Sequence, residues 1–344
     1  MKTAVKRTVL CAVLLLILAA AAPFLCLLPF FAPGDAGASP SPTALPDASA
    51  QEQEDTAPDT PRAEPQAILV WDDAAGEAVS VPALEYLIGA AACEMPPDWP
   101  DDALMAQMVA SHSWALYQLE HSDQKDAAIT VNSAQCSGWT TEEVLRSRWG
   151  EDFETRWQHF TQLAEEVLYD LVLYDDAPAA TCYHAISAGH TQASQRVWVE
   201  SLPYLQGVDS SWDKTADDFE VTVQYDAQQV SDAMYAYLGI DVTGNPDTWI
   251  GETVWDDAGY VDTIQVCGQS VTGTQMRSAL SLRSACFAIA WQDGEFTVTT
   301  RGYGHGVGLS QEGARAMAAG GASWQDILDY YFPGTRLGTT DDLL

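Results

Sequence analysis

The amino-acid sequence predicts an α+β protein in which mixed helices and mostly antiparallel strands surround one substrate groove, preceded by an N-terminal transmembrane helix. Three observations lead to this fold class. The chain opens with a long apolar run. A spacer rich in Pro, Ala and Ser follows it. Helix and strand patterns come next, without the regular alternation that is typical of a doubly wound sheet.

The N-terminal segment has the features of a membrane anchor. Three basic residues precede an uncharged, apolar run from Val9 to Ala32. A bilayer span needs about 20 apolar residues, and flanking basic residues stay on the cytoplasmic side. Residues 1–32 are therefore predicted to anchor the chain in the cell membrane by a single pass, with the C-terminal part extracytoplasmic. The alternative is a cleaved signal peptide, whose apolar core is usually about 7–15 residues long.

Composition divides the rest of the chain into three parts. Residues 33–66 lack apolar periodicity and consist mostly of Pro, Ala, Ser, Asp, Glu and Thr, which predicts a disordered extracytoplasmic linker. Residues 67–337 carry the periodic patterns and are predicted to fold, and residues 338–344 are predicted to be a C-terminal tail.

Apolar periodicity and turn residues predict the elements of the folded part. A proline-rich break separates the first two helices, because proline cannot continue a helix. In chain order, we expect helices at 82–93 and 100–120, strands at 167–174, 179–186 and 219–225, a helix at 227–238, strands at 261–266 and 295–300, and helices at 311–319 and 323–331.

The charge balance excludes one class of partner. The formal net charge is −34, from 49 acidic and 15 basic residues. Binding of nucleic acid relies on Lys and Arg to neutralise phosphates, so no nucleic-acid partner is predicted. Anionic lipid head groups would repel such a chain, so the predicted membrane contact is limited to the N-terminal helix. An uncharged or weakly charged polymer is the more compatible substrate.

Cysteine and histidine usage bears on cross-links and metals. Five cysteines lie in the folded part, so at most two disulfides can form there and one thiol stays free. Cys182 and His184 share one face of a predicted strand, with His190 nearby. A half-buried strand with an apolar cysteine explains this pattern better than a metal site. We therefore predict no metal and no cofactor.

Glu94 is the candidate general acid. It lies at the end of a predicted helix among alanines, Cys93, Met95 and Pro96. Apolar surroundings raise the pKa of a carboxyl group, so that it stays protonated and can donate to a leaving-group oxygen. From local sequence alone, a solvated charge at a helix end is the commoner explanation.

Two further segments carry candidate binding residues. Arg301–Gln311 has a glycine at every second position up to Gly308, which lets the backbone approach a ligand closely and exposes His305. The alternative is a flexible turn with an incidental histidine. The second segment, Tyr183–Thr191, runs from a strand into a turn of small residues, and the hydroxyls and amides of such a turn suit sugars. Trp198 follows it and offers a face for stacking.

A set of motifs along the chain carries a family resemblance. They are Glu85-Tyr86-Leu87-Ile88-Gly89, Glu94-Met95-Pro96, Trp99-Pro100, Tyr183-His184, Ser187-Ala188-Gly189, Leu202-Pro203-Tyr204-Leu205, Arg301–Gln311 and Pro333-Gly334-Thr335. In these motifs and their order the chain resembles the family of stage II sporulation protein D, which also includes the amidase-enhancer proteins.

The resemblance implies a lytic transglycosylase that cuts peptidoglycan strands already stripped of stem peptides, in sporulation and engulfment. Glu94 is then the catalytic acid within a catalytic domain at 67–337. The implied partners are peptidoglycan glycan strands, a wall amidase and other membrane-anchored engulfment proteins. The residues expected to bind substrate are Tyr183, Ser187, Gly189, Trp198, Tyr303, His305, Ser310 and Gln311.

Two motifs depart from the family pattern. Relatives often have Ser-Gly-Gly-Arg-Thr where this chain has Ser187-Ala188-Gly189-His190-Thr191. Relatives usually have Ala-Arg-Thr-Tyr where this chain has Ser111-His112-Ser113-Trp114, so an arginine of the expected groove is missing. Two alternatives stay open beside the transglycosylase: a wall-binding module that enhances an amidase without catalysis, and a glycan hydrolase. The products formed from peptide-free glycan would distinguish all three.

Overall fold

The computed structural model describes residues 64–121, 127, 129–198 and 200–343. The anchor predicted at 1–32 lies outside these residues, as does nearly all of the linker predicted at 33–66. Within the described part, no helix is both long and apolar enough to cross a membrane. The transmembrane helix therefore stays a prediction.

Helices and strands are intermixed along the folded part. In chain order they are β1 (Ile68–Asp72), β2 (Glu77–Val81), α1 (Ala83–Glu94), α2 (Asp101–His121), β3 (Ile129–Val131), α3 (Glu142–Trp149), α4 (Phe153–Glu166), β4 (Asp170–Tyr174), β5 (Ala177–Pro178), β6 (Tyr183–His184), α5 (Ser194–Val197), β7 (Glu220–Tyr225), α6 (Ala227–Ala233), β8 (Ile250–Trp255), β9 (Val261–Val266), β10 (Gln269–Thr272), α7 (Gly273–Leu280), β11 (Phe287–Gln292), β12 (Glu295–Arg301), β13 (Leu309–Ser310), α8 (Gln311–Ala319), α9 (Trp324–Tyr331) and β14 (Arg336–Thr339).

Strand pairing confirms a mixed fold with mostly antiparallel sheets. The described strands form three-stranded sheets in the orders β2-β1-β3, β14-β4-β5, β10-β9-β8 and β11-β12-β7, together with the pair β13-β6. Pairing is parallel between β1 and β3 and between β6 and β13, and antiparallel in the other pairs. The pair β6-β13 brings together the two segments that carry most of the predicted binding residues.

The two predicted helices at the start of the domain are confirmed as α1 and α2. Every residue of α2 from Ala103 to Ser113 is buried, as expected of a helix that other elements surround. It packs against α1, α4, α8, α9 and β4. At the end of α1, Met95 is already extended, because the prolines at 96 and 97 exclude a continued helix. Glu94 is thereby fixed at the last position of α1.

The strand predicted at 179–186 is wrong in its middle. Only residues 177–178 and 183–184 pair as strands. Between them, the backbone N–H of Ala180 donates to the hydroxyl of Tyr204 at 2.9 Å, and the hydroxyl of Thr181 donates to the carbonyl of Ala110 at 2.7 Å. The N–H of Ala180 and the hydroxyl of Thr181 therefore form hydrogen bonds to residues far away in sequence instead of to a neighbouring strand. Apolar patterning alone does not reveal such contacts.

The segment from β7 to β12 has a hydrophobic core of its own. Val230, Met234, Ile264, Met276 and Phe296 are among its buried residues. The helix predicted at 227–238 is α6 followed by a π-helical turn, Met234–Leu238. At the other end of the domain, β14 extends to Thr339 and so includes the first residues of the predicted tail.

Candidate active site

The carboxyl group of Glu94 lies at the junction of α1, α2 and α8. Its Oε2 accepts a hydrogen bond from Nε2 of Gln311 at 3.2 Å. Burial raises the pKa of the Glu94 carboxyl above its usual value, and the hydrogen bond from Gln311 opposes that rise. The residue is half-buried, so the carboxyl is shielded from bulk water without being sealed in the core. These are the surroundings that favour a protonated acid.

An amide network connects Glu94 to the central helix. The Nε2 group of Gln311 also donates to Oε1 of Gln107 at 3.2 Å, and Nε2 of Gln107 donates to the hydroxyl of Ser111 at 3.0 Å. Gln107 and Ser111 are fully buried. Gln311, predicted as a substrate-binding residue, therefore has its side chain directed at the carboxyl of Glu94.

Two phenols face the same carboxyl. Tyr86 donates to the carbonyl of Ser111 at 3.4 Å, and Tyr183 is hydrogen-bonded to the side chain of Ser111. Burial raises the pKa of both phenols, and the charge of Glu94 raises it further. Both tyrosines are therefore protonated, neutral hydrogen-bond donors over the physiological range. The structure brings Tyr183, which was predicted from the sequence, to the carboxyl of Glu94.

The glycine-rich segment owes its composition to a backbone with positive φ and close contacts. At Gly304 φ is +117°, and a Cβ atom there would lie 2.6 Å from Cβ of His184. At Gly308 φ is +74°, and a Cβ atom would lie 2.1 Å from the carbonyl oxygen of Cys182. Neither position admits a side chain, so the segment fits tightly against β6. These contacts favour a closely packed segment over the alternative of a flexible turn.

His305, on this glycine-rich segment, lies beside two other rings, each tilted by 55° from its own. Its ring centroid lies 5.1 Å from that of Trp198 and 5.6 Å from that of His184. Its Nδ1 accepts a hydrogen bond from the N–H of Val307 at 3.1 Å. Burial lowers the pKa of His305 to about 4 and that of His184 to about 3. Both histidines are neutral at pH 7, and the half-exposed Trp198 presents an aromatic face beside them.

A buried carboxylate that the sequence analysis missed organises the remaining predicted residues. Oδ2 of Asp213 accepts from the N–H of Ser187 and from the hydroxyl of Ser310, each at 2.7 Å. Ser187 in turn accepts from the N–H of Gly189 at 3.0 Å. In sequence, Asp213 sits between a tryptophan and a lysine and has the pattern of a solvated charge. No local signal marks it as buried.

Among the predicted binding residues, Tyr303 contacts neither Glu94 nor Asp213 in the contacts described above, and its ring lies beside an arginine. The guanidinium of Arg283 lies 4.6 Å from the centroid of its ring. The Tyr303 backbone pairs with Ile186, which keeps the glycine-rich segment beside the Ser187 turn. The structure therefore groups Tyr183 and Gln311 at Glu94, Ser187, Gly189 and Ser310 at Asp213, and Trp198 with His305.

A disulfide between Cys93 and Cys136 cross-links the last turn of α1 to the loop before α3, with Cα atoms 5.1 Å apart. The same loop is held by Nε1 of Trp139, which donates to the carbonyl of Glu85 at 3.2 Å. The free cysteines of the described part are Cys182, Cys267 and Cys286. In that part, no three His, Cys, Asp or Glu side chains are grouped closely enough to hold a metal ion.

A cavity of about 480 Å³ opens between the loop that follows Glu94 and the start of α8. Trp99, Ile186, Glu312 and Arg315 are among its lining residues, together with three aspartates. The guanidinium of Arg315 lies 5.8 Å from the Trp99 ring and is paired with Glu312 at 2.7 Å. The volume falls within the range of about 300–1,000 Å³ that is typical of small-ligand sites.

The comparisons with known proteins agree with this arrangement. Residues 72–174, which include Glu94, match a family model described as Stage II sporulation protein. The chain is 29% identical to stage II sporulation protein D of Bacillus subtilis (strain 168), over 99% of this chain and 97% of the relative. It is 27% identical to the protein of that name in Bacillus amyloliquefaciens, over 97% and 95%. The amidase enhancer of Bacillus subtilis (strain 168) is 24% identical over 71% of this chain and 39% of its own length.

Fold and site together define an α+β protein with a sheltered acid at a helix end. The two sporulation proteins match the chain over nearly its full length, and the family model covers the segment that carries this acid. The chain is similar to the stage II sporulation protein D family, and the resemblance inferred from its motifs is confirmed.

Proposed function

We propose that this protein is a lytic transglycosylase that cleaves the bond between N-acetylmuramic acid and N-acetylglucosamine in peptide-stripped peptidoglycan, with Glu94 as its catalytic acid. The observation that carries the proposal is the raised pKa of a half-buried carboxyl group at the junction of α1, α2 and α8. Similarity to stage II sporulation protein D supports a role in the cell wall during sporulation and engulfment.

The chemistry needs one carboxyl group. Protonated Glu94 donates its proton to the glycosidic oxygen as the bond to C1 of the muramic acid breaks. The resulting carboxylate then removes the proton from the C6 hydroxyl, whose oxygen bonds to C1. The product has a 1,6-anhydro-muramyl end, no water is consumed, and Glu94 regains its proton. Because every proton is exchanged through one side chain, the reaction requires no cofactor.

The groups around Glu94 fit a mechanism with a single acid. Its hydrogen-bond partner in the described part of the chain is an amide, and the facing phenols of Tyr86 and Tyr183 are neutral. A glycosidase that uses water as nucleophile usually has a second carboxylate near the bond. Among the described residues, no second carboxylate is a hydrogen-bond or electrostatic partner of Glu94, which supports attack by the C6 hydroxyl.

The substrate is proposed to contact the surfaces next to Glu94. Trp198 and the neutral His305 form an aromatic face on which a pyranose ring can stack. Ser187, Gly189 and Ser310 are buried and hydrogen-bonded within the protein, and we propose that they shape the side of the groove held by Asp213. Tyr183 and Tyr303 complete the predicted set, and the groove between these groups is the proposed path of the glycan strand.

Location and partners follow from the same proposal. A single-pass anchor at 1–32 and a flexible linker at 33–66 would hold the catalytic domain outside the cytoplasm, within reach of the wall. Similarity to an amidase enhancer supports a wall amidase as partner, since an amidase would supply the peptide-stripped strands. The same similarity favours the second candidate function, a wall-binding module that enhances an amidase without catalysis.

The test is product analysis on peptide-free glycan strands with wild type, Glu94→Gln and a matched control. Glu94→Gln keeps the shape of the side chain but has no proton to donate. Glu85→Gln makes the same change at an exposed position of α1. We expect anhydro-muramyl products from wild type and Glu85→Gln, and a rate about 10²–10⁴-fold lower with Glu94→Gln.

Other outcomes would identify the alternatives. Muramic acid with a free reducing end is heavier by one water and would indicate a hydrolase. No cleavage by folded wild-type protein, together with binding to glycan and faster amidase turnover, would indicate the enhancer. Circular dichroism of each variant verifies that loss of product does not come from loss of fold.

A further inference from the structure

Asp213 is a fully buried carboxylate without a role in the reaction described above. It lies beneath the Ser187 turn and the start of α8, where its Oδ2 accepts from the N–H of Ser187 and the hydroxyl of Ser310. An ionisable group is costly to bury unless hydrogen bonds or nearby charges compensate. Its burial at this position therefore calls for a specific explanation.

Ser310 connects Asp213 to the helix that carries Gln311. The Ser310 side chain is the N-cap of α8 and accepts from the N–H of Gly313 at 3.4 Å. A hydroxyl has one proton, and here that proton is donated to Asp213. This donation leaves the oxygen lone pairs for the first turn of α8. A negative charge is also favourable at the N-terminus of a helix.

Gln311 is the first residue of α8, directly after this cap. Its amide reaches both Glu94 and Gln107, each at 3.2 Å, and this requires a defined start and direction of the helix. The contacts thus run in one chain from Asp213 through Ser310 and Gln311 to Glu94. A displaced cap would move the amide away from the acid.

Resting on the proposed function, we propose that Asp213 is a positioning residue of the active site: it fixes Ser310 at the start of α8 and thereby holds the amide of Gln311 against the carboxyl of Glu94. Asp213 itself touches no reacting atom. Its task is to maintain the hydrogen bond on which the proton affinity of Glu94 depends.

Four phenols of the described residues interact with the two carboxyls, and Lys214 adjoins Asp213 in sequence. Tyr86 and Tyr183 face Glu94, and Tyr260 and Tyr331 lie near Asp213. Burial raises the pKa of Asp213, and the hydroxyls and N–H groups of the surrounding serines oppose that rise. Because burial keeps all four phenols protonated, a change in the titration of Glu94 reports on the hydrogen bond from Gln311.

The experiment measures the pKa of the Glu94 carboxyl directly, by carbon-13 NMR titration of the full chain with labelled glutamate. The signal is assigned by its absence in Glu94→Gln. In Gln311→Leu the hydrogen bond is removed, and we expect the pKa to rise by about one unit. Asp213→Asn and Ser310→Ala should each raise it in the same direction. Adding Asp213→Asn to Gln311→Leu should raise it no further, because both changes act through one contact.

A matched control separates positioning from general damage. Asp72 is also a buried carboxylate that accepts from a serine hydroxyl and a backbone N–H, but its partner is Ser133. Asp72→Asn should lower stability and leave the pKa of Glu94 unchanged. If Gln311→Leu shifts the pKa while Asp213→Asn and Ser310→Ala do not, the inference is overturned. If Asp213→Asn does not fold, Ser310→Ala decides, because it removes the contact without altering a buried charge.

The readout is independent of catalysis, so the two proposals can fail separately. A shifted pKa in a protein that forms no anhydro products would support the positioning role and reject the transglycosylase. Anhydro-muramyl products from wild type, with an unshifted pKa of Glu94 in Asp213→Asn and Ser310→Ala, would support the transglycosylase and reject the positioning role. Where activity is present, the alkaline limb of the pH profile of kcat/KM should move upward together with the NMR value.

Discussion

Replacing Cys93 and Cys136 together by serine removes the cross-link beside Glu94. The two residues are 43 positions apart in sequence, so the disulfide closes a loop of that length in the unfolded chain. Closing a loop of this length lowers the entropy of the unfolded state, which destabilises that state by about 4 kcal/mol at 25 °C. We therefore expect the free energy of unfolding to fall by about 4 kcal/mol.

Urea unfolding followed by tryptophan fluorescence measures this change. Dithiothreitol should destabilise wild type by the same amount and leave the double-serine variant unaffected. Cys267→Ser is the matched control, because Cys267 is an exposed free thiol outside any cross-link. A loss below about 1 kcal/mol, or an equal effect of reductant on the double variant, would refute the assignment of the stabilisation to this disulfide.

Three further predictions concern the core and the site. Folding raises the pKa of Glu94 above 4.5, so the stability contributed by its protonated form is complete below pH 4.5 and is lost as the pH rises through the raised value. Glu94→Gln should therefore be more stable than wild type at pH 7 in thermal unfolding, and a gap that persists below pH 4.5 would contradict this. In Gly313→Ala, the added Cβ would lie 1.8 Å from the hydroxyl of Tyr331, and urea unfolding should report a net loss of about 1–3 kcal/mol after the gain in helix propensity, whereas a stabilised variant would refute the contact. Phe160→Ala removes a fully buried ring and should cost about 3–5 kcal/mol in the same assay, with product chemistry unchanged in the folded fraction.

Local patterns were sufficient for much of the fold. The helix that ends at Glu94 follows from its apolar positions and from the prolines after Met95, since both act within a few residues. The glycine alternation of the 301–308 segment predicted positive φ or close approach to a ligand; Gly304 and Gly308 have positive φ, and their close contacts are with His184 and Cys182. The strand expected through Ala180 and Thr181 was wrong. The N–H of Ala180 donates to the hydroxyl of Tyr204 and the hydroxyl of Thr181 donates to the carbonyl of Ala110, so neither group pairs with a neighbouring strand.

The electrostatic state of the acid came from the assembled structure. Apolar neighbours in sequence suggested that Glu94 is desolvated, but a solvated charge at a helix end was equally compatible with that pattern. Burial raises the pKa of Glu94 and the hydrogen bond from Gln311 opposes that rise, and both effects require elements that meet only after folding. Which cysteines pair was open for the same reason, because spacing does not determine which two approach each other.

The sequence by itself determined that helices and antiparallel strands would be mixed, that Glu94 would end a helix, and that the glycine-rich segment could adopt positive φ. These features depend on local preferences of the chain. Only the tertiary structure decided that Gln311 binds Glu94 across 217 residues and that Asp213 binds Ser310 across 97. Contacts at such separations depend on how the whole core packs, and no local pattern encodes the distance between two side chains that meet only after folding.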